Sequence, residues 1–229
     1  MLTHDFPPYN YKQDGKLIGI NTDIITKVLQ EENVPFEIEV INWARAQIIV
    51  QNTPNTGLLS AGRSPVREDK YAWIGPLVSS TSYLFKLSSR KDIVVKSLDD
   101  LSLYRIAITR RSVRVHTFEK MGLTAPRNLL LVSNASDTYQ GLFKNRADFI
   151  LGSDLTTPYN VRNLGYDLSD IEPVIKIGDQ NIRNYLAVNK AYSPDIIARS
   201  NARISKMWES GEIDRIIDSY RLQPKMVDQ

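Results

Sequence analysis

The chain contains no cysteine among its 229 residues, which excludes structural disulfides and any chemistry carried by a thiolate. That absence is compatible with a reducing or an oxidising compartment. Histidine is nearly as scarce. Its two copies, His4 and His116, stand in no pattern with carboxylates that has metal-ligand spacing. No glycine-rich phosphate loop occurs. Asp99 and Asp100 are a carboxylate pair, but adjacent residues on a helix do not face one another. No local motif supports a Ser/His/Asp triad. No apolar run approaches the roughly 18 residues that span a bilayer. No long Lys/Arg run exists either, and a net charge of +3 dispersed along the chain argues against nucleic acid as a partner.

What is present is ordinary globular composition, 42% hydrophobic and 24% charged. The length allows one large domain or two lobes of roughly 100 residues each. Met1-Leu2-Thr3-His4-Asp5-Phe6 has neither the basic start nor the apolar core of a signal peptide. It runs straight into Phe6-Pro7-Pro8-Tyr9-Asn10-Tyr11, which reads as a strand cut near its start. The expectation is that a leader has been removed and a Met added; a native cytoplasmic start is the alternative.

The stretch Ser60 to Pro76 organises the rest. Gly57-Leu58-Leu59 ends a buried strand, and small residues with two arginines four apart follow it. Small residues let a ligand approach the backbone, and an arginine fork matches a carboxylate. Ser60, Gly62, Ser64 and Arg67 at a strand end therefore suit a small anion; a polar surface loop is the other reading. Tyr71 to Ile74 then reads as a strand stopped by Gly75-Pro76.

Along the chain, Asp14-Gly15 signals a turn. Asn21 or Thr22 is expected to cap a helix over about residues 22–32, with Ile24, Ile25, Val28 and Leu29 on one face. A strand over 36–40 and a helix from Trp43 to Gln51 follow. Strands are expected at 81–87, 104–109, 129–132, 148–151, 171–177 and 185–188, the fifth at an edge because of its proline. Helices are expected from Ser112 to Met121, from Asn134 or Ser136 to Phe143, over a short stretch ending near Gly165, from Pro194 to Trp208, and from Glu212 to Tyr220. Strands alternating with helices indicate an α/β fold with largely parallel sheets. The rhythm starts twice, near residues 1 and 104, which suggests two lobes. Ligands in such sheets sit beyond the carboxyl ends of strands, where Ser60–Arg67, Thr109–Ser112 and Gly152–Asp154 fall.

Several ordered motifs carry a resemblance: Phe6-Pro7-Pro8-Tyr9-x-Tyr11, Asp14-Gly15-Lys16-Leu17-x-Gly19, Asp23-Ile24-Ile25, Trp43-Ala44-Arg45-Ala46 and Arg63-Ser64-Pro65-x-Arg67-Glu68. Tyr185-Leu186-Ala187-Val188 through Ser193-Pro194-Asp195, and Ser210-Gly211-Glu212 to Tyr220, complete the set. In this order, over essentially the whole chain, they resemble the solute-binding proteins of family 3, the amino-acid-type receptors of ABC importers. The resemblance implies a two-lobed type II periplasmic binding fold with two hinge strands. Lobe one would be 1–82 with 186–229, and lobe two 83–185. It further implies a periplasmic, monomeric receptor without cofactor or metal. Such a receptor captures a small polar solute, an amino acid or related carboxylate, between closing lobes and delivers it to a membrane permease.

By the same resemblance the aromatic platform falls on Phe6; Trp43 reads either as core packing or as a second aromatic wall. The carboxylate-binding arginine falls on Arg67, small hydrogen-bonding positions on Ser60 and Gly62, a helix-start pair on Arg111 and Ser112, and the amine-binding Asp on Asp154. Three departures stand out. Gly62 replaces a common Ser or Thr, Arg111 replaces a common Gly, and strict counting puts the amine position on Ser153 rather than Asp154. Arg63, Arg67, Arg110, Arg111 and Arg114 lie in the segments assigned to the site, against Asp154 alone. That imbalance predicts a ligand with at least one carboxylate, neutral or anionic overall. Two alternatives share the fold: the sensing domain of a signalling protein, and an enzyme similar to cyclohexadienyl dehydratases.

Overall fold

The computed structural model describes residues 1–110, 112, 114–178 and 182–221. These divide into two units, residues 1–80 with 182–221, and residues 81–178.

The first unit opens with β1 (Leu2–Thr3), then a hairpin of β2 (Tyr11–Gln13) and β3 (Lys16–Ile18). Its two-residue loop is Asp14-Gly15, with φ of 50° and 76°. Positive φ at both positions is what a tight hairpin turn demands. Helix α1 (Ile20–Glu31) buries Ile20, Ile24, Ile25, Val28 and Leu29 along one face. It starts earlier than the expected cap at Asn21 or Thr22, both of which are buried in its first turn. Gly19 takes the cap position with φ of 131°, and a Cβ there would lie 2.4 Å from the Tyr9 carbonyl oxygen. The chain can pass Tyr9 only as glycine, which frees the Asn21 side chain for another partner.

β4 (Glu39–Val40) is shorter than the alternation over 36–40 suggests. α2 (Trp43–Asn52) is capped by Asn42, whose side chain accepts from the N–H groups of Ala44 at 3.0 Å and Arg45 at 3.3 Å. β5 (Gly57–Gly62) leads into the one-turn α3 (Pro65–Glu68), with proline at its favoured first position. β6 (Ala72–Ser80) corrects the expected stop at Gly75-Pro76, because the strand runs through them. The Gly75 N–H leaves the ladder and donates to the Asn201 side chain at 2.8 Å. Pro76 has no N–H to place, so the pairing absorbs both residues as a register shift.

The second unit begins with β7 (Ser82–Leu87) and a 3₁₀ turn over Leu98–Leu103, closed by a capping box between Ser97 and Asp100. β8 (Ile106–Thr109), α4 (Arg114–Lys120), β9 (Leu129–Val132), α5 (Ala135–Phe143), β10 (Phe149–Ser153) and α6 (Thr156–Asn163) alternate as expected. β11 (Ile171–Lys176) lies at the sheet edge, the place a strand proline permits. The sheet order is β11-β7-β10-β8-β9, with β7 alone reversed. Apolar clusters cover both faces, one around Leu101, Ile106, Phe118 and Phe149, the other around Ala107, Tyr139, Leu142 and Ile150.

β12 (Ile182–Val188), α7 (Pro194–Glu209) and α8 (Glu212–Arg221) complete the first unit. Its sheet order is β4-β1-β5-β12-β6, with β12 alone reversed. Among the described residues, no helix is long and apolar enough to cross a membrane.

Candidate functional site

In the first unit, β4, β1 and β5 are parallel neighbours, so their carboxyl ends sit side by side. Beyond β4 comes Trp43, beyond β1 come His4 and Phe6, and β5 ends on Gly62 with Arg67 beyond it. The edge of an open α/β sheet where strands end is where ligands bind. Sequence distance thus becomes adjacency: Phe6, Trp43, Gly62 and Arg67 belong to one end of one sheet.

Their side chains form a continuous tier. Tyr9 meets Phe6 with ring centroids 4.8 Å apart. Phe6 stacks on His4 at 5.2 Å, with planes 17° apart. His4 lies 4.5 Å from Trp43. The Arg67 guanidinium carbon lies 5.8 Å from the Trp43 ring centroid, within cation–π range. Arg67 Nη1 donates to the Gly62 carbonyl at 3.1 Å. No other hydrogen bond of its guanidinium, and no carboxylate within ion-pair distance, occurs among the described residues. A Cβ at Gly62 would meet nothing nearer than that guanidinium, at 3.9 Å. The glycine therefore leaves open space beside Arg67.

The two arginines of the motif have opposite fates. Arg63 is held by Glu68 through two hydrogen bonds, which keep the Glu68 carboxyl below its ordinary pKa. Its guanidinium carbon also lies 5.6 Å from the rings of both Trp73 and Tyr185. It is spent on the fold, whereas Arg67 keeps a charge without an anionic partner.

Ser60 sits at φ of 63° and is 4% exposed. Its hydroxyl donates to Asn10 Oδ1 and accepts from Asn21 Nδ2 at 2.8 Å. Asn10 in turn donates through Nδ2 to the His4 carbonyl. Tyr9 donates through its hydroxyl to Ser80 Oγ at 3.2 Å. The Ser60 side chain thus ties three segments together beneath the tier.

In the second unit, Asp154 follows β10, and its Oδ1 accepts from the Thr81 N–H at 3.0 Å while its own N–H donates to the Thr81 carbonyl at 3.1 Å. Ser153, the alternative amine position, is 5% exposed, and its hydroxyl accepts from the Thr156 N–H at 3.0 Å. Both groups serve the backbone around β7 and α6. Ser112 Oγ accepts from the Arg114 N–H at 3.2 Å, as a residue capping α4 does. Arg110 donates to the Leu131 carbonyl at 3.3 Å. Arg111 lies outside the described residues. Among the described residues, no group of three His, Asp or Glu side chains could hold a metal.

Sequence reasoning gave no site role to His4, Asn10 or Asn21, reading the last only as a candidate helix cap. The only signal was position: His4 directly follows the opening strand, and Asn10 lies inside the aromatic-proline motif.

The arrangement is an α/β unit whose strand ends carry a tier of aromatic rings and an arginine with no carboxylate partner among the described residues. The chain belongs to the bacterial extracellular solute-binding proteins, family 3, whose pattern matches residues 1–223. The fold is that of the type II periplasmic binding proteins. The second substrate-binding domain of Lactococcus lactis GlnP, in an open conformation, superposes with a TM-score of 0.76 at 18% identity, covering 100% of this chain and 95% of that one. The unliganded L-cystine solute receptor of Neisseria gonorrhoeae gives 0.78 at 18% identity over 99% and 94%. A histidine kinase sensor domain with similarity to periplasmic binding proteins gives 0.70 at 17% over 98% and 96%. At these identities the likeness concerns the fold. No curated protein matches the chain.

Proposed function

We propose that this chain is the receptor component of an ABC importer, working outside the cytoplasmic membrane. It captures a small polar acid, an amino acid or a related carboxylate, and presents it to a membrane permease. The observation that carries the reading is Arg67. Its guanidinium stands beyond the carboxyl end of β5, 5.8 Å from the Trp43 ring of the aromatic tier, with no carboxylate partner among the described residues. Arg63, four residues away, is neutralised by Glu68. A ligand carboxylate is the partner that Arg67 lacks. Asp154 holds the Thr81 N–H, which weighs against it as a dedicated site for a free amine. The ligand is therefore neutral or anionic overall.

The test is calorimetry and thermal shift at fixed ionic strength with L-arginine, L-glutamine, L-glutamate and succinate. Binding to the native state alone stabilises by about 2.7 kcal/mol at a ligand concentration 100 times the dissociation constant. Glutamine, glutamate or succinate should bind most tightly. Tightest binding by L-arginine refutes the charge argument.

A second reading, a sensing domain of a signalling protein, is supported by the likeness to the histidine kinase sensor domain. The same ligand would serve it, and a membrane segment or signalling domain in the full gene distinguishes it. Family and neighbours are binding proteins; turnover of prephenate or arogenate by the purified protein would instead make it an enzyme.

A further inference from the structure

β1 is the middle of the three parallel strands whose ends carry Trp43, Phe6, Gly62 and Arg67, and the residue that directly follows it is His4. Its ring stacks on Phe6 and contacts Trp43, at 5.2 Å and 4.5 Å between centroids. A ring that touches both of the others occupies the space between them. The rest of the structure does little to hold it there by its polar atoms. Nδ1 is buried without a hydrogen-bond partner among the described residues. The backbone, by contrast, is fixed, because the His4 carbonyl accepts from Asn10. Burial lowers the pKa of the imidazole, with Asp5 opposing, so at neutral pH the ring is an uncharged planar wedge. Trp43, the far wall of this space, is the ring that Arg67 lies against. The wedge therefore fills the volume next to the anion grip.

We propose that His4 is the specificity-determining residue of this site. Its ring plugs the slot between Phe6 and Trp43 that would otherwise accept the apolar or aromatic part of a ligand anchored at Arg67, and restricts the protein to compact acids. The inference rests on the assignment of Arg67 as the carboxylate grip. It goes beyond that assignment by naming what limits ligand size.

The experiment compares the full chain with His4→Ala and His4→Ser, which open the slot, and with His4→Phe, which keeps it filled. Calorimetry is run with succinate, L-glutamate, L-glutamine, L-phenylalanine and L-histidine. Wild type and His4→Phe should prefer the compact acids. His4→Ala and His4→Ser should bind L-phenylalanine at least about tenfold more tightly than wild type does, since two aromatic faces become available to the ligand ring. Unchanged L-phenylalanine affinity in both folded variants overturns the proposal. Loss of the cooperative thermal transition in both also overturns it, because His4 is then a structural wedge. A wild type that binds L-phenylalanine as tightly as L-glutamate overturns the plug and leaves the receptor reading standing. A wild type that binds none of the five defeats the receptor reading, and the variants still decide His4: gained L-phenylalanine binding upholds the plug, and no gain overturns it.

Discussion

Replacing Ser60 separates what this position does for the fold from what it does for a ligand. Its hydroxyl satisfies Asn10 and Asn21 inside a region where Ser60 itself is 4% exposed. Ser60→Ala leaves two buried amide groups each short of a partner, at about 1–3 kcal/mol apiece. Allowing for relaxation, the loss is about 2–4 kcal/mol. The backbone adds a second, separable term. Ser60 holds φ at 63°, and a side-chain-bearing residue in that region is strained by roughly 1–2 kcal/mol. Alanine keeps that strain and glycine does not. Ser60→Gly should therefore be less destabilised than Ser60→Ala, although it removes more atoms. For a protein of this size each kcal/mol shifts the melting temperature by roughly 2–4 °C, so alanine should melt about 4–16 °C below wild type and glycine in between. The natural probe is tryptophan fluorescence, because all three tryptophans, Trp43, Trp73 and Trp208, belong to the first unit. Urea titration with an unchanged slope would confirm that the native state, not the unfolded chain, was altered. Alanine as stable as wild type, or glycine less stable than alanine, would refute the reasoning.

Two further outcomes are expected. Arg67→Ala should weaken carboxylate binding by roughly 2–5 kcal/mol, at least about 30-fold, because it strips a desolvated anion of its charge partner. The fold loses only one hydrogen bond to the Gly62 carbonyl and a half-exposed contact with Trp43, so melting should move by a few degrees at most; unchanged affinity by calorimetry would remove Arg67 from the site. Burial raises the Asp23 carboxyl above its ordinary value of 3.8, with the hydrogen bond from Tyr220 opposing. The folded state thus holds this proton more tightly than the unfolded chain, and Asp23 makes stability fall as pH rises from the ordinary value through the raised one. Asp23→Asn keeps an oxygen for the Tyr220 hydroxyl and should flatten that slope in melts from about pH 4 to pH 7; an unaltered slope would contradict it.

Much of the fold is written in local sequence. The apolar spacing of Ile24, Ile25, Val28 and Leu29 makes α1, Asp14-Gly15 makes the hairpin, and Pro173 sends β11 to an edge. Each of these acts through backbone preference or periodicity within a few residues, which is why they are legible without a structure. The ordered motifs likewise mark the family and the strand ends where a site belongs. What tertiary structure alone decided is how each polar group at those ends is used. Arg63 and Arg67 are alike in sequence, yet only one has Glu68 across its fork. Ser60 reads as a small hydrogen-bonding residue at a strand end, and only the fold shows that Asn10 and Asn21, 50 and 39 residues away along the chain, engage its hydroxyl. His4 carries no motif at all, and becomes central because β1 lies between β4 and β5. Gly75-Pro76 reads as a strand stop because the residue that takes the Gly75 N–H, Asn201, lies 126 positions further on. A hydrogen bond or ring contact is satisfied by whichever group the sheet order brings alongside, and strand order depends on burying the whole apolar surface at once, a requirement no local window of sequence contains.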